Sequence, residues 1–285
     1  MKKKSRLKNW DLIITSNRGW FNLDLLALWT YRDLIGLFVK RDIITEYKQT
    51  ILGPLYFIIT PIINTLINMF VFGKIAKLST DGVPPFLFYM SGTLFWSYFK
   101  ICLNAGKTVF QSNVSLFSQV YFPRLAIPIS QNISALIRSS IQFMMFSIFF
   151  IYFYHQGANM NPSFRIILLP LLLFQCSLMG LGTGILISSF TVKYKDLNFI
   201  YKFIVSIWMY ISPVVYPLSV IPEEYRYLAS FNPMVGIIET GRELFFGFSS
   251  FNIIYVTNGL ITTFVMVFLG LLIFNRVEKN FLDTV

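Results

Sequence analysis

The sequence predicts an all-α integral membrane protein with six transmembrane helices, formed by a single domain that takes in all 285 residues. Two observations lead to this prediction. The composition is 55% hydrophobic and only 13% charged, whereas soluble domains carry about 25% charged residues. The apolar residues also gather in blocks of about 20, the length that an α-helix needs to cross a bilayer. No shift in composition indicates a second, soluble domain.

Residues 28–40 predict an amphipathic helix that lies in the membrane interface. The segment is too charged to cross a bilayer, yet one stripe of a helix would hold six apolar side chains: Leu28, Tyr31, Leu34, Ile35, Phe38 and Val39. The stripe breaks at residues 40–42, and a polar stretch leads to the first span. This N-terminal segment either anchors the chain at the membrane surface or contacts a cytoplasmic partner and moves with it.

Six runs poor in charge predict the transmembrane helices: residues 49–73, 82–99, 139–164, 166–192, 203–222 and 244–275. We expect the second helix to continue past Lys100 towards residue 106 and the third to begin upstream, near residue 129. The membrane region then covers residues 49–275. Residues 1–48 precede it and residues 276–285 form a tail.

The distribution of basic residues predicts the orientation. With the N-terminus inside, most of the 24 Lys and Arg residues lie on the cytoplasmic side, as the positive-inside rule requires. Both termini are therefore expected in the cytoplasm. This rule and the attraction to anionic headgroups explain the pI of about 9.6 without a nucleic-acid partner.

The loop after the second span, residues 108–127, is rich in aromatic side chains. Exposed aromatics of this kind need a cover, which is either a cytoplasmic partner subunit, the reading we favour, or another part of this chain. The candidates for contact with that partner come from this loop and from the N-terminal segment: Arg41, Asp42, Glu46, Tyr47, Phe117, Tyr121, Phe122 and Arg124.

Residues 218–247 predict two short helices on the outer side. Pro222 precedes one of them, and Asn232 and Pro233 begin the other, with Asn as a good N-cap and Pro favoured at the first helical position. Irregular backbone at membrane depth is tolerated only where it is buried in protein or lines an aqueous cavity. The stretch is therefore read as a pore-mouth hairpin, the alternative being a re-entrant loop without a gating role. Its charged residues are the outer-gate candidates: Glu223, Arg226, Glu239 and Arg242.

Neutral polar and aromatic residues within the spans are candidates for lining a pore. Aromatic faces stack on sugar rings, and amide and hydroxyl groups hydrogen-bond sugar hydroxyls, but Trp and Tyr also gather at membrane interfaces for other reasons. The candidates are Asn64, Asn68, Trp96, Tyr98, Trp208, Tyr210 and Tyr216.

The glycines of the fourth predicted span indicate helix packing. Gly180, Gly182 and Gly184 do not form a dinucleotide fingerprint. Gly180 and Gly184 instead make a small-xxx-small pair, which lets two membrane helices approach closely.

The sequence predicts no catalytic, cofactor or metal site. The Gly-Lys-Thr at residues 106–108 ends like a P-loop, but Ile101 stands where the motif needs Gly. Cys102 and Cys176 lie in separate apolar blocks, and His155 is the single histidine. If ATP drives this protein, we expect another chain to bind it.

These segments, taken in order, resemble polysaccharide-exporting permeases of the type 2 ABC class, above all the O-antigen (Wzm-type) export permeases, with teichoic-acid and capsule permeases nearby. The motifs that show the resemblance cover nearly the whole chain: YRDLI at 31–35 with Arg-Asp at 41–42, YKQTILGP at 47–54, VFGKI at 71–75, VYFPR at 120–124, KYKDL at 193–197, SPVVYP at 212–217, NPM at 232–234 and FNRVEK at 274–279.

The resemblance implies a homodimer in the bacterial inner membrane, bound to two copies of a separate ABC ATPase that holds ATP and Mg. It also implies a lipid-linked glycan as substrate, an interface helix, a coupling loop after the second span and gate helices before the sixth. Two other functions remain open. One is a drug or peptide exporter of the same fold, and the other is a secondary carrier or flippase, which would need internal repeats or intramembrane charges.

Overall fold

The computed structural model describes residues 25–48, 55–120, 122–158, 160–191, 196–247 and 252–284. These residues form helices joined by short turns, and none of the described residues lies in a β-strand. The helices are α1 (Leu25–Thr30), α2 (Arg32–Lys48), α3 (Leu55–Asn68), α4 (Pro85–Ser112), α5 (Val114–Gln119), α6 (Ala126–His155), α7 (Leu169–Thr191), α8 (Leu197–Ile211), α9 (Glu223–Ala229), α10 (Pro233–Phe246) and α11 (Ile253–Thr284).

Among the described residues, four helical segments are long and apolar enough to cross a membrane. They are Leu55–Ile75, in which α3 continues as a π-helix, Ala126–His155, Phe164–Thr191, in which a 3₁₀ turn leads into α7, and Ile253–Arg276. Each of two further helices has one of these two properties, length or apolar character, but lacks the other. α4, at 28 residues, is about 42 Å long but less apolar, and α8 is apolar but has only 15 residues, about 22 Å.

The single helix predicted for residues 28–40 is wrong at both ends: a turn at Tyr31 separates α1 from α2, and α2 extends beyond residue 40. It runs through residues 40–42, where the apolar stripe breaks, and ends at Lys48. An acidic residue, Asp33, lies in its first turn and a basic residue, Lys48, in its last. Both charges are favourable with respect to the helix dipole. The break in the apolar stripe therefore does not mark the end of the helix. It marks a change in the residues that the helix contacts.

The predicted ends of three spans are wrong, each because of a local backbone signal. α6 ends at His155 rather than 164, just before Gly157 at φ +82°. α8 ends at Ile211 rather than 222, because Ser212 is extended before Pro213, as residues preceding proline usually are. Residues 244–246 belong to α10, which Gly247 terminates at φ +68° in the left-handed region that favours glycine.

Helix α4 is the centre of the fold. Helices α7, α6, α3 and α10 pack around it, and most of its side chains between Leu87 and Val109 are buried. The predicted small-xxx-small packing of α7 is confirmed. A Cβ added to Gly184 would overlap the carbonyl oxygen of Leu103, and one added to Gly180 would lie 2.6 Å from the Cβ of Cys102. The two glycines thus bring the α7 backbone against α4.

Candidate functional site

The N-terminal helix and the segment after α5 share one apolar cluster, which we call the coupling cluster. Its buried members come from α1, α2, α5, the segment after α5, and from α4, α6, α7 and α11: Leu28, Phe38, Val109, Phe117, Phe122, Ala126, Ile127, Ile185 and Phe274. The stripe predicted for residues 28–39 supplies most of the contacts from α2, with Tyr31, Leu34 and Ile35 packed at the edge of the cluster. The amphipathic helix α2 therefore packs mainly against α6 and shares this cluster with side chains of α4, α7 and α11.

Aromatic rings dominate this cluster. The centroid of the Phe122 ring lies 5.8 Å from that of Phe38 and 5.7 Å from that of Phe117. Two guanidinium groups cover the outer faces, with Arg41 4.9 Å from the Phe38 ring centroid and Arg124 5.4 Å from that of Phe117, which is cation–π geometry.

The expectation that the aromatics of residues 108–127 are exposed is wrong for Phe117 and Phe122. These side chains are only 7% and 5% exposed, because α2 covers them. For these two rings, the structure supports the second interpretation of the loop, in which another part of the same chain covers them. The side chains of Glu46 and Tyr47, and the whole of Tyr121, lie outside the described part of the chain.

Asp42 lies beside Arg41, one helical turn after the buried Phe38 and on the same side of α2. Its carboxylate accepts hydrogen bonds from Arg41 Nε at 3.0 Å and Nη2 at 2.8 Å. The aspartate side chain is 20% exposed and that of the arginine 47%. The pair is thus half sheltered at the membrane end of the coupling cluster.

The structure separates the pore-lining candidates into buried and exposed groups. Trp96 and Tyr98 are buried in the core of the helix bundle at 4% and 1% exposure, so neither side chain lies on the surface of the chain in this conformation. Their indole and phenol rings pack inside the bundle because α4 is covered on all sides. Asn64 and Tyr210, by contrast, are exposed on α3 and α8.

Trp208 belongs to a hydrogen-bonded network that the sequence did not reveal. Its Nε1 donates to Asn232 Oδ1 at 3.0 Å, and the same oxygen accepts from the backbone N–H of Met234 at 3.1 Å. Asn232 Nδ2 donates to Ser212 Oγ at 2.9 Å. The predicted N-cap of α10 is therefore confirmed, and it also holds the end of α8 through the Trp208 ring.

Of the last two polar candidates, Asn68 contacts the neighbouring helix α4 and Tyr216 makes a local bond. Asn68 Nδ2 lies 3.5 Å from Thr93 Oγ1, at the limit of a hydrogen bond, and Tyr216 O–H donates to the carbonyl oxygen of Ile211 at 2.9 Å. Tyr216 thus closes the turn that follows α8 and is only partly exposed.

Glu239 and Arg242 form a buried ion pair, with Arg242 Nη1 3.0 Å from Glu239 Oε1 and the two side chains 6% and 4% exposed. The guanidinium lies 3.8 Å from the centroid of the Phe88 ring. It also donates to the carbonyl oxygens of Val214 at 3.1 Å and Tyr216 at 3.4 Å. Burial raises the pKa of the Glu239 carboxyl, and the positive charge of Arg242 opposes that effect. Arg242 therefore ties the turn after α8 to α4 and α10.

The second pair of outer-gate candidates is at the surface. Arg226 Nη1 lies 3.5 Å from Glu223, whose side chain is 90% exposed, while Arg226 Nε donates to the carbonyl oxygen of Ile221 at 2.9 Å. Sequence reasoning missed Asp81, whose carboxylate accepts from Ser219 Oγ at 2.8 Å and so joins the α3–α4 loop to this hairpin. The unusual feature of Asp81 is its positive φ of +49°, which is seen in the structure and not in the sequence.

The chain matches known membrane transporters over most of its length. The sequence pattern of the family described as "ABC-2 type transporter" matches residues 33–246. An O-antigen export system permease protein RfbA of Klebsiella pneumoniae is 25% identical over 257 residues, covering 88% of this chain and 94% of that protein. The protein of the same name from Myxococcus xanthus is 23% identical, with 77% and 82% covered.

A relative whose name states another transported substance has a comparable coverage and a slightly lower identity. The polysialic acid transport protein KpsM of Escherichia coli is 22% identical over 253 residues, covering 86% of this chain and 93% of that protein. The family pattern alone extends over well more than half of the 285 residues. The chain is therefore a membrane permease and belongs to the ABC-2 type transporter family.

Proposed function

We propose that this chain is the membrane subunit of an ATP-driven exporter that moves a lipid-linked polysaccharide outward across the bacterial inner membrane. O-antigen is the first candidate for this polysaccharide. Two copies of the chain form the channel between them. Two copies of a separate ABC ATPase bind at the cytoplasmic side, and these hold the ATP and Mg. Both termini of the permease lie in the cytoplasm.

The coupling cluster is the observation that carries this proposal. An ATPase that closes on the cytoplasmic surface must move the membrane helices through some solid contact. In this cluster α2 packs against α6 and shares a core of buried side chains with α4, α7 and α11. Because close-packed interiors transmit displacement rather than absorb it, we expect a push on α2 to move α6 and, through the shared core, the other three helices.

The partner in this account supplies the energy because the permease sequence holds no intact P-loop. Arg41, Asp42 and Arg124 lie around the coupling cluster with part of their surface exposed. They are the described side chains that we assign to the contact with the ATPase. Phe117 and Phe122 serve inside the permease, as the packing that carries the movement.

The channel surface is assigned to α3 and α8. Both helices carry exposed residues along one face, among them Asn64 and Tyr210. The amide of Asn64 can hydrogen-bond sugar hydroxyls, and the ring of Tyr210 can stack on a sugar ring. A second copy of the chain that pairs through these helices would enclose that face. The glycan would then pass between two such faces and leave beside the α9–α10 hairpin.

The substrate class is supported by the names of the relatives. Two of the three are named for O-antigen export, and the third is named for another polysaccharide. The Klebsiella and Myxococcus proteins are named for O-antigen export, which favours that glycan here. The KpsM relative is named for polysialic acid transport and is the specific reason to keep capsular polysaccharide, with teichoic acid, as the second candidate. A drug or peptide exporter, or a stand-alone carrier, has no comparable support.

The test is the surface glycan of the source bacterium after deletion of the gene. We expect the long surface polysaccharide to disappear while lipid-linked glycan accumulates on the inner side of the membrane, and a plasmid copy of the gene to restore export. Chemical analysis of the accumulated glycan separates O-antigen, capsule and teichoic acid. Unchanged surface glycan of all three kinds would contradict the proposal.

A further inference from the structure

A polar cavity of about 470 Å³ lies between α9 and the beginning of α11. Its volume falls within the range of about 300–1,000 Å³ that small-molecule sites occupy. The coupling cluster does not account for this cavity, because the two share no described residue. Six of its described lining residues have polar side chains: Glu223, Arg226, Tyr227, Ser230, Asn252 and Tyr255.

Hydrogen bonds hold the two walls of the cavity together. Ser230, just after α9, donates through Oγ to the carbonyl oxygen of Tyr227 at 2.6 Å, and the same hydroxyl accepts from Asn258 Nδ2 of α11 at 2.9 Å. On the α11 side, Asn252 Oδ1 accepts from the backbone N–H of Ile254 at 3.0 Å, so its NH₂ group is the donor that it offers to the cavity. The walls are therefore preorganised by the protein itself, which lowers the cost of binding.

Tyr255 brings a buried hydroxyl to the cavity. The residue is 9% exposed and packs with Leu218 and Val235, and it lines the cavity from the α11 side. Among the residues that the structure describes, its hydroxyl has no hydrogen-bond partner. Buried polar groups in folded proteins are almost always hydrogen-bonded. The partner of this hydroxyl therefore comes from the cavity, as water or as a hydroxyl group of a ligand.

Tyr227 brings an aromatic ring to the opposite wall. Its ring meets that of Phe231 edge-on, with centroids 5.2 Å apart and an angle of 87° between the planes. This contact fixes the orientation of the ring, while Tyr227 as a whole is 65% exposed. An open aromatic face of this kind can stack on the apolar face of a sugar ring.

The charged groups of the wall favour a neutral ligand with several hydroxyls. Glu223 and Arg226 are the one acid and the one base among the described lining residues. Arg226 Nη1 lies 3.5 Å from Glu223 Oε1, so the pair adds no net charge but places an acceptor beside a donor. A hydroxyl group both donates and accepts. Neighbouring hydroxyls of one sugar ring can therefore use both groups, whereas an ion of either sign would be repelled by one of them.

We propose that this cavity binds a sugar unit, with the Tyr227 ring against the sugar face, Glu223 and Arg226 on neighbouring hydroxyls, and the Tyr255 hydroxyl on a third. That this sugar belongs to the exported glycan rests on the function proposed above, which places the cavity on the outer side of the membrane, where the glycan emerges. A contact there would hold the emerging chain on the outer side.

Binding of oligosaccharides to the purified full-length chain, in a detergent without a sugar headgroup, tests the site. The probes are short oligosaccharides released by mild acid from the surface polysaccharide of the source bacterium. Hexaethylene glycol, which is polar and flexible but has no sugar ring, is the comparison. Saturation-transfer NMR follows the titration of each probe. We expect the oligosaccharides to bind. Tyr255→Phe, which removes only the hydroxyl, should weaken binding about fivefold, and Tyr227→Ala and Glu223→Gln about tenfold each.

Two neighbours on α9 provide matched controls. Tyr225 is 57% exposed, Glu224 is exposed as well, and neither lines the cavity. Tyr225→Ala and Glu224→Gln should therefore bind as the unchanged protein does. Equal losses in these controls, equal binding of hexaethylene glycol, or no binding of the oligosaccharides would overturn the proposal. The titration needs neither ATPase nor export, and deletion of the gene tests the proposed function by itself, so either can fail while the other stands.

Discussion

The ring of Phe38 packs against the ring of Phe122, with centroids 5.8 Å apart, and this contact joins the N-terminal helix α2 to the start of α6. Phe274 of α11 and Ile185 of α7 are buried in the same cluster. A displacement of α2 is therefore expected to disturb α6 directly and the other members of this shared cluster through it, which is the mechanical link that an exporter driven by a partner subunit needs.

Loss of the Phe38 ring should uncouple export from ATP hydrolysis. Phe38→Ala removes a buried ring, at a cost of about 3 kcal/mol in the free energy of unfolding, and leaves α2 loosely held. We expect export per ATP hydrolysed to fall in the reconstituted complex. Leu37→Ala is the control, since the neighbouring Leu37 is 63% exposed. Equal behaviour of the two variants would remove the ring from the coupling path.

The ion pair between Glu239 and Arg242 should matter much more for stability than the pair between Glu223 and Arg226. Glu239→Gln leaves a buried guanidinium without its counter-charge, which costs about 3 kcal/mol. Glu223→Gln affects a surface pair and should change the free energy of unfolding by less than about 1 kcal/mol. Thermal unfolding of the purified chain in detergent compares them. Similar transition temperatures would mean that water reaches the inner pair.

The contact of α7 with α4 should depend on Gly184. A Cβ there would overlap the Leu103 carbonyl oxygen, so Gly184→Ala must separate the two backbones, with an expected loss of about 2 kcal/mol. Gly36 of α2 has no other atom near the site of its missing Cβ. Gly36→Ala should stabilise the helix by up to about 1 kcal/mol. Opposite signs in unfolding experiments are the predicted result, and a neutral Gly184→Ala would contradict it.

Tyr210 should affect transport without affecting assembly. Its side chain is 56% exposed on α8, where the channel is proposed, so Tyr210→Ala should slow glycan export several-fold while the chain still elutes as a dimer. Phe264→Ala provides a control, because Phe264 is 71% exposed on α11, a helix not assigned to the channel. An equal decrease in both variants would indicate a general effect of exposed aromatics.

Trp208, which sequence reasoning grouped with Tyr210, should behave differently. Its Nε1 donates to Asn232 and its ring centroid lies 5.1 Å from that of Phe99. We therefore expect Trp208→Ala to lower the yield of folded chain as well as export, and Trp208→Phe to restore packing but not the hydrogen bond. Normal folding with slow export would instead place Trp208 on the channel surface.

Local signals in the sequence predicted local structure well. The apolar stripe from Leu28 to Phe38 packs into the coupling cluster, although a turn at Tyr31 divides it between α1 and α2. The glycines at 180 and 184 make the close contact with α4, and Asn232 caps α10. Each of these depends on a few neighbouring residues and on the geometry of a single helix, which a pattern can describe.

The errors had two sources: local backbone signals that a count of apolar residues overlooks, and contacts between residues distant in sequence. A count of apolar residues does not show that Ser212 leaves the helix before Pro213, or that Gly247 ends α10. Similarly, an aromatic residue on a membrane helix can face lipid, a channel or the core. Trp96 is buried because α4 is surrounded by other helices, a fact of topology that spacing along one helix does not contain.

The most direct test of the central claim, that this permease works through a separate ATPase, is affinity purification of the tagged chain from native membranes, with mass spectrometry of the proteins that co-purify. We predict an ABC ATPase subunit at one copy per permease chain, lost or weakened when Phe38 is replaced by Ala. A permease that purifies without any ATPase, from cells that still need it for surface glycan, would contradict the account.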